Sequence, residues 1–208
     1  LWGNFNGLVS TARLHALVRS EIEFANLARS PLRFHAGVVD LLTGHYFNAD
    51  TRYPNLVDCI LASTAIPIVM PCVPLNGVPH VDGGVRDIAP LRHAIAAGAS
   101  DIVVVACQAE RLEASAVNPR NLLSLIDRVT DLLCDEVLQN DLDFARFINL
   151  HVPPDGTRAS EGPFIGKRKL SIKVIRPVRN PAIDIFDFSE ADIAGLVAAG
   201  EIAAAAAL

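Results

Sequence analysis

The stretch Asp101-Ile102-Val103-Val104-Val105-Ala106-Cys107 contains a continuous run of apolar, mostly β-branched residues. β-Branched residues favour strands. A strand that is apolar on both sides suits the centre of a sheet that helices cover. This stretch therefore predicts the central strand of a layered α/β domain.

Helix and strand patterns alternate on either side of this stretch. Apolar spacing, a helix-starting proline and a Ser189–Asp192 cap predict helices over residues 11–22, 56–65, 90–98 and 118–140 and at the C-terminal end. Strand patterns cover residues 32–41 (paired with 46–47), a short segment ending at Asp82, and residues 147–152 and 170–175. The alternation predicts an α/β fold of three layers, with a mostly parallel central sheet flanked by helices, in one domain over residues 1–208.

Composition narrows the class of protein. Of the 208 residues, 51% are hydrophobic, which excludes intrinsic disorder. The 18 basic and 23 acidic residues give a net charge of −5, so a dedicated nucleic-acid binder is disfavoured. No apolar run reaches the ~18 residues that a membrane span requires. The chain begins at Leu1 without a methionine or a signal-peptide pattern, and we expect it to start within a longer protein.

Neither the cysteines nor the histidines have the spacing of a metal site. Cys59, Cys72, Cys107 and Cys134 are widely separated and mostly lie in apolar segments. We expect reduced, buried thiols in a cytoplasmic protein, with a disulfide as the less favoured alternative. The six histidines show no paired ligand spacing. The phosphate-binding and dinucleotide-binding glycine patterns are also missing from the sequence, which therefore predicts no cofactor.

Basic residues are concentrated near the C-terminal end. Seven of the 18 lie between Arg158 and Arg179, and they include all three lysines: Lys167, Lys169 and Lys173. Such a patch predicts peripheral contact with anionic lipid head groups or phosphates. Alternatively, the segment is a solvated loop and an edge strand that lysine protects from association. Charge runs are usually solvated, which favours the second interpretation.

The segment Val81-Asp82-Gly83-Gly84-Val85 is the strongest candidate for a reactive site. An acid at the end of an apolar strand places a carboxylate where a sheet opens into a cleft, and two glycines let another backbone or a ligand approach closely. Asp-Gly is also a common turn dipeptide. These residues alone favour a plain turn.

The motifs around Asp82 resemble, in order, those of the patatin-like phospholipase family. They are Leu61-Ala62-Ser63-Thr64-Ala65-Ile66-Pro67, Pro71-Cys72-Val73, Gly77, Val81-Asp82-Gly83-Gly84-Val85, and Pro90-Leu91 with Ala94-Ile95 and Gly98-Ala99. Val39-Asp40-Leu41-Leu42-Thr43-Gly44 is similar to the family's preceding strand. The resemblance covers residues 8–107 well and residues 170–208 weakly, the latter through Ile175-Arg176-Pro177 and Asp187-Phe188-Ser189.

The resemblance implies a lipid acyl hydrolase, a serine-type esterase that uses a Ser–Asp dyad without a metal. Asp82 would be the catalytic acid/base, with Gly83 and Gly84 as supporting motif residues. The family's serine lies in a Gly-x-Ser-x-Gly motif before residue 8, and this sequence contains no such motif. Gly3-Asn4-Phe5-Asn6-Gly7 has the glycine spacing but phenylalanine at the nucleophile position. We therefore expect these 208 residues alone to be inactive.

Two alternatives remain open at this point. One is a non-catalytic lipid-binding or scaffold module of the same fold. The other is an unrelated α/β protein in which Asp82 only forms a turn. The sequence does not distinguish a phospholipid from another ester substrate, and it does not determine the oligomeric state.

Overall fold

A computed structural model describes residues 5–111, 114, 117–180 and 189–208. The chain divides into two compact units, Leu1–Ile88 and Ala89–Leu208, here called the N-terminal and C-terminal units. The assignment of residues 1–208 to one domain stays a prediction. No helix among the described residues is both long and apolar enough to cross a membrane.

The N-terminal unit is built on a four-stranded sheet. Its strands lie in the order β2-β1-β4-β3, and every neighbouring pair is antiparallel. The elements are α1 (Ala12–Glu21), α2 (Phe24–Arg29), β1 (His35–Asp40), β2 (Tyr46–Asp50), α3 (Leu56–Ala62), β3 (Val73–Leu75) and β4 (Val78–Asp82). The predicted helix at residues 11–22 and the predicted pairing of residues 46–47 with the preceding strand are confirmed.

The predicted parallel arrangement is corrected in this sheet, where short turns join β1 to β2 and β3 to β4. Asn76 and Gly77 link β3 to β4, and both have positive φ angles (53° and 82°), as a tight hairpin turn requires. Between β1 and β2, the Asp40 carboxylate accepts the Leu42 N–H at 2.8 Å. Parallel neighbours need a crossover of a dozen residues or more, whereas a hairpin forces antiparallel pairing.

The core of the N-terminal unit lies between α3 and the sheet. Val38 of β1 and Leu56, Cys59 and Leu61 of α3 are almost completely buried. Burial of a leucine side chain contributes about 1.5–3 kcal/mol, so this helix stabilises the sheet that carries Asp82. Burial raises the pKa of the Cys59 thiol to about 11, which makes it unreactive near neutral pH.

The four cysteines are free, but the prediction that they are buried holds fully only for Cys59. Cys72 and Cys134 are half-buried and Cys107 is exposed. Cys107 lies two residues beyond the end of a strand, where the chain leaves the sheet. An apolar neighbourhood in sequence therefore did not determine the burial of its thiol.

In the part of the C-terminal unit that the structure describes, two helices and two strands precede the final helix. They are α4 (Leu91–Ala96), β5 (Asp101–Val105), α5 (Leu122–His151) and β6 (Ser171–Ile175), followed by α6 (Glu190–Ala207). β5 and β6 pair in parallel, with Asp101 opposite Ser171. At the start of α6, Ser189 and Asp192 form the predicted capping box.

Two predictions for this unit are wrong. Residues 147–151 belong to α5 rather than to a strand, because the buried residues Leu138, Leu142, Ala145 and Ile148 continue a helical spacing through them. β5 is not covered on both sides either: Val104 is buried, whereas Val103 and Val105 are 53% and 73% exposed. An apolar run cannot indicate which of the two strand faces the fold covers.

Candidate active site

Asp82 is the last residue of β4 and is held in place through its backbone. It lies opposite Val38 of β1, and its N–H donates to the carbonyl of Ala65 at 3.0 Å. The preceding residue, Val81, is buried, and Asp82 itself is partly buried. The sheet therefore fixes the position from which the carboxylate projects.

The two oxygens of the Asp82 carboxylate have different surroundings. Oδ1 accepts the backbone N–H of Gly84 at 2.7 Å and so caps the 3₁₀ turn Gly83–Val85. Oδ2 has no hydrogen-bond partner among the described residues. One oxygen thus orients the carboxylate, and the other is available to a reacting group.

Gly83 is required by a close approach of two backbones. A Cβ atom at this position would lie 2.5 Å from the carbonyl carbon and 2.6 Å from the oxygen of Gly37 in β1. Gly84 is less constrained, because the nearest atom to an added Cβ would be Oδ1 of Asp82 at 3.2 Å. The first glycine therefore serves packing against β1, and the second lies beside the carboxylate.

Gly37 is the residue of this site that sequence analysis missed. Any side chain there would also collide with the Tyr46 hydroxyl, 2.7 Å from an ideal Cβ. A glycine within a strand pattern is a known signal of close backbone approach. That signal was present, but nothing local showed that Gly83 would be its partner.

His80 does not hydrogen-bond to Asp82, although the two residues are close in sequence. Its ring is buried, with Nδ1 2.8 Å from the Val78 carbonyl and the ring edge against Phe47. It is a packed core residue. A carboxylate without a histidine partner is consistent with the implied dyad.

The first described residues bind to the segment of residues 65–69, which also contains the Ala65 carbonyl that accepts the Asp82 N–H. The N–H groups of Leu8 and Val9 donate to the Val69 carbonyl at 2.9 and 3.0 Å. Gly7 has a φ of +82°, and a Cβ there would lie 2.6 Å from the Pro71 nitrogen. In the stretch Gly3-Asn4-Phe5-Asn6-Gly7, the first two residues lie outside the described residues, and Phe5 is 50% exposed.

Burial raises the pKa of Asp82 above its ordinary value, and the hydrogen bond from Gly84 only partly opposes this effect. Asp40 ends β1 in a similar way, but hydrogen bonds from Thr43 and Leu42 lower its pKa. The two carboxylates occupy equivalent positions at strand ends and differ in environment. A raised pKa makes Asp82 the better base of the two.

A carboxyl-carbon NMR titration of the 208-residue chain should therefore separate these two groups. We expect Asp82 to titrate above 3.8 and Asp40 below it. The contribution of Asp82 to the free energy of unfolding is then complete below pH 3.8 and is lost as the pH rises through the folded pKa of Asp82. The corresponding contribution of Asp40 is present above pH 3.8 and is lost as the pH falls through the folded pKa of Asp40. The reverse order of the two midpoints would contradict the burial argument.

Among the described residues, no three histidine, cysteine or acidic side chains are grouped so that they could hold a metal ion. The site as described consists of a carboxylate, a glycine turn and the backbone around them.

The fold and the site define an α/β protein with an oriented, partly buried carboxylate at the end of a sheet strand. The family model described as Patatin-like phospholipase matches residues 2–95, which include β1 to β4, Asp82 and both glycines. The match confirms the resemblance to this family over these residues. No curated protein matches the chain.

The weaker resemblance over residues 170–208 lies outside this match. Of the residues on which it rests, Asp187 and Phe188 also lie outside the described residues.

Proposed function

We propose that Asp82 is the acid/base residue of a Ser–Asp dyad that hydrolyses lipid acyl esters. One observation carries the proposal: Oδ1 is held by the Gly84 N–H, while Oδ2 has no partner among the described residues. The raised pKa and the location within the patatin-like segment support it.

The proposed reaction has two halves. A serine oxygen attacks the ester carbonyl and passes its proton to Oδ2 of Asp82, and the leaving alcohol then takes this proton as the acyl-enzyme forms. In the second half, water attacks the acyl-enzyme and gives its proton to Asp82, which returns a proton to the serine as the fatty acid is released. The protons and bonds balance without a metal.

We do not assign the nucleophile of this dyad to any of the 208 residues, because they contain no Gly-x-Ser-x-Gly motif. We place it outside residues 1–208. The bonds of Leu8 and Val9 to residues 68–69 support this arrangement, since they hold the chain against the segment that also bonds to Asp82. The oxyanion donors would come from the same outside segment.

The second candidate is a non-catalytic lipid-binding or scaffold module. It is favoured by the capping role of Oδ1, because a residue that stabilises a turn has a structural function without any chemistry. In that case the serine would also be missing from the complete gene product.

A polypeptide of residues 1–208 should hydrolyse p-nitrophenyl butyrate no faster than the buffer blank, and a fluorophosphonate probe should leave it unlabelled. The product of the complete gene should hydrolyse the ester and be labelled at a serine outside these residues. Labelling of a serine within residues 1–208 would contradict the proposed location of the nucleophile. A complete gene product that is inactive and unlabelled would instead establish the scaffold alternative.

A further inference from the structure

A pocket in the C-terminal unit lies between the end of α4 and the loop of residues 158–170. Its volume is about 100 Å³, well above the ~10–15 Å³ that a single water needs. Ile95 and Gly98 line it on the helix side, and Gly166 lines it on the loop side. It lies in a different unit from Asp82 and does not depend on the proposed hydrolysis.

The charged residues that line this pocket all have the same sign. They are Arg158, Lys167 and Arg168, and no acidic residue is among the described residues of the lining. The chain as a whole carries a net charge of −5, so this concentration of positive charge is local. Cations that share one small pocket repel one another, and a bound anion relieves that repulsion.

Two of the three cations are fixed by hydrogen bonds to backbone carbonyls. Arg158 donates to the Gly166 carbonyl at 2.7 Å, and Lys167 donates to the Ile95 carbonyl at 3.2 Å, near the C-terminal end of α4. Neither of these bonds neutralises a charge. They hold the cationic groups at the pocket before any ligand arrives, which reduces the entropy cost of binding.

The third cation, Arg168, has no hydrogen bond or ion pair with the described residues. Its guanidinium keeps all its donors available. Arginine donors match the oxygens of a phosphoryl group in a bidentate geometry. Arg168 is therefore the residue best able to bind a ligand without giving up an internal contact.

The backbone of the loop is closed on itself. Ala159 donates to the Lys167 carbonyl at 2.7 Å, and Gly166 donates to the Ala159 carbonyl at 2.8 Å. Ala159 is buried, which anchors the loop in the unit. The cationic residues thus project from a constrained loop. A charge run that is merely solvated would not require such a constraint.

We propose that this pocket binds a phosphoryl group, carried by a soluble phosphate or by an anionic lipid head group. Three positive charges and two guanidinium groups suit a tetrahedral dianion better than a single carboxylate. Lys169, which is exposed and does not line the pocket, is then general surface charge.

The test compares Arg168→Gln with Lys169→Gln in the 208-residue chain. Both variants remove one positive charge from adjacent exposed residues, but only Arg168 lines the pocket. Inorganic phosphate is titrated while the amide signals of Gly98, Gly166 and Lys167 are followed by NMR. In parallel, sedimentation is measured with phosphatidylcholine vesicles with and without phosphatidic acid.

We expect saturable phosphate-induced shifts at these amides and about tenfold weaker binding in Arg168→Gln, with Lys169→Gln unchanged. Retained phosphate shifts without vesicle binding would indicate a soluble phosphate ligand. Sedimentation that requires phosphatidic acid and is lost only in Arg168→Gln would indicate a lipid head group. Equal losses in the two variants, or neither saturable shifts nor vesicle binding, would overturn the proposal.

Discussion

With the proposed Ser–Asp dyad, Asp82→Asn should reduce the ester turnover of the complete gene product by about 10²–10⁴-fold, the usual contribution of a general acid/base. The amide has the same shape and can still accept the Gly84 N–H through its oxygen, which the carboxylate does at 2.7 Å. It cannot take a proton from serine. The measurement is kcat for p-nitrophenyl butyrate, together with the urea unfolding midpoint, which should not fall.

Asp40→Asn is the matched control for this substitution. Asp40 also ends a strand and accepts backbone N–H groups, those of Leu42 and Thr43. The chemical change is identical, but hydrogen bonds within the turn lower the pKa of Asp40, whereas burial raises that of Asp82. We expect kcat to stay within about twofold of the wild type, the usual outcome away from a reacting group. Similar losses in the two variants would remove Asp82 from the dyad.

Gly83→Ala should lower the free energy of unfolding by about 3 kcal/mol, at the upper end of typical overpacking costs. The added Cβ would lie 2.5 Å from a backbone carbon of Gly37. Neither backbone moves freely, because β1 pairs with β2 on one side and with β4 on the other. Urea denaturation of the 208-residue chain measures the effect. It is a large fraction of the 5–15 kcal/mol that typically stabilises a protein.

Gly84→Ala provides the comparison within the same turn. Its Cβ would meet only Oδ1 of Asp82, at 3.2 Å, and a side-chain oxygen can shift by a few tenths of an ångström. We expect a cost below about 1 kcal/mol, part of which the reduced flexibility of the unfolded chain offsets. If alanine at Gly84 were as destabilising as at Gly83, the close approach to Gly37 would not explain the role of the first glycine.

Local signals in the sequence correctly predicted most individual elements. The Ser189–Asp192 pair predicted the start of α6, and Pro90 predicted that of α4. Asp82 lies at the end of a strand, as its flanking residues indicated. These predictions succeeded because capping, turn chemistry and proline geometry act within a few residues.

Predictions that depended on distant residues were less successful. Residues 147–151 have a strand-like composition, but their helical continuation depends on the burial of Leu142 and Ile148 in the C-terminal unit. The exposure of Val103 and Val105 similarly depends on what covers β5. A short apolar run cannot carry that information.

By itself, the sequence determined that the protein has an α/β character, that a carboxylate closes a strand before two glycines, and that its motif series is patatin-like. Only the tertiary structure decided the antiparallel pairing of the first sheet, the approach of Gly83 to Gly37, and the meeting of Arg158, Lys167 and Arg168 around one pocket. The physical reason is the range of the forces involved. Backbone preferences act between neighbours in the chain, whereas pairing, burial and charge clustering join residues that only folding brings together.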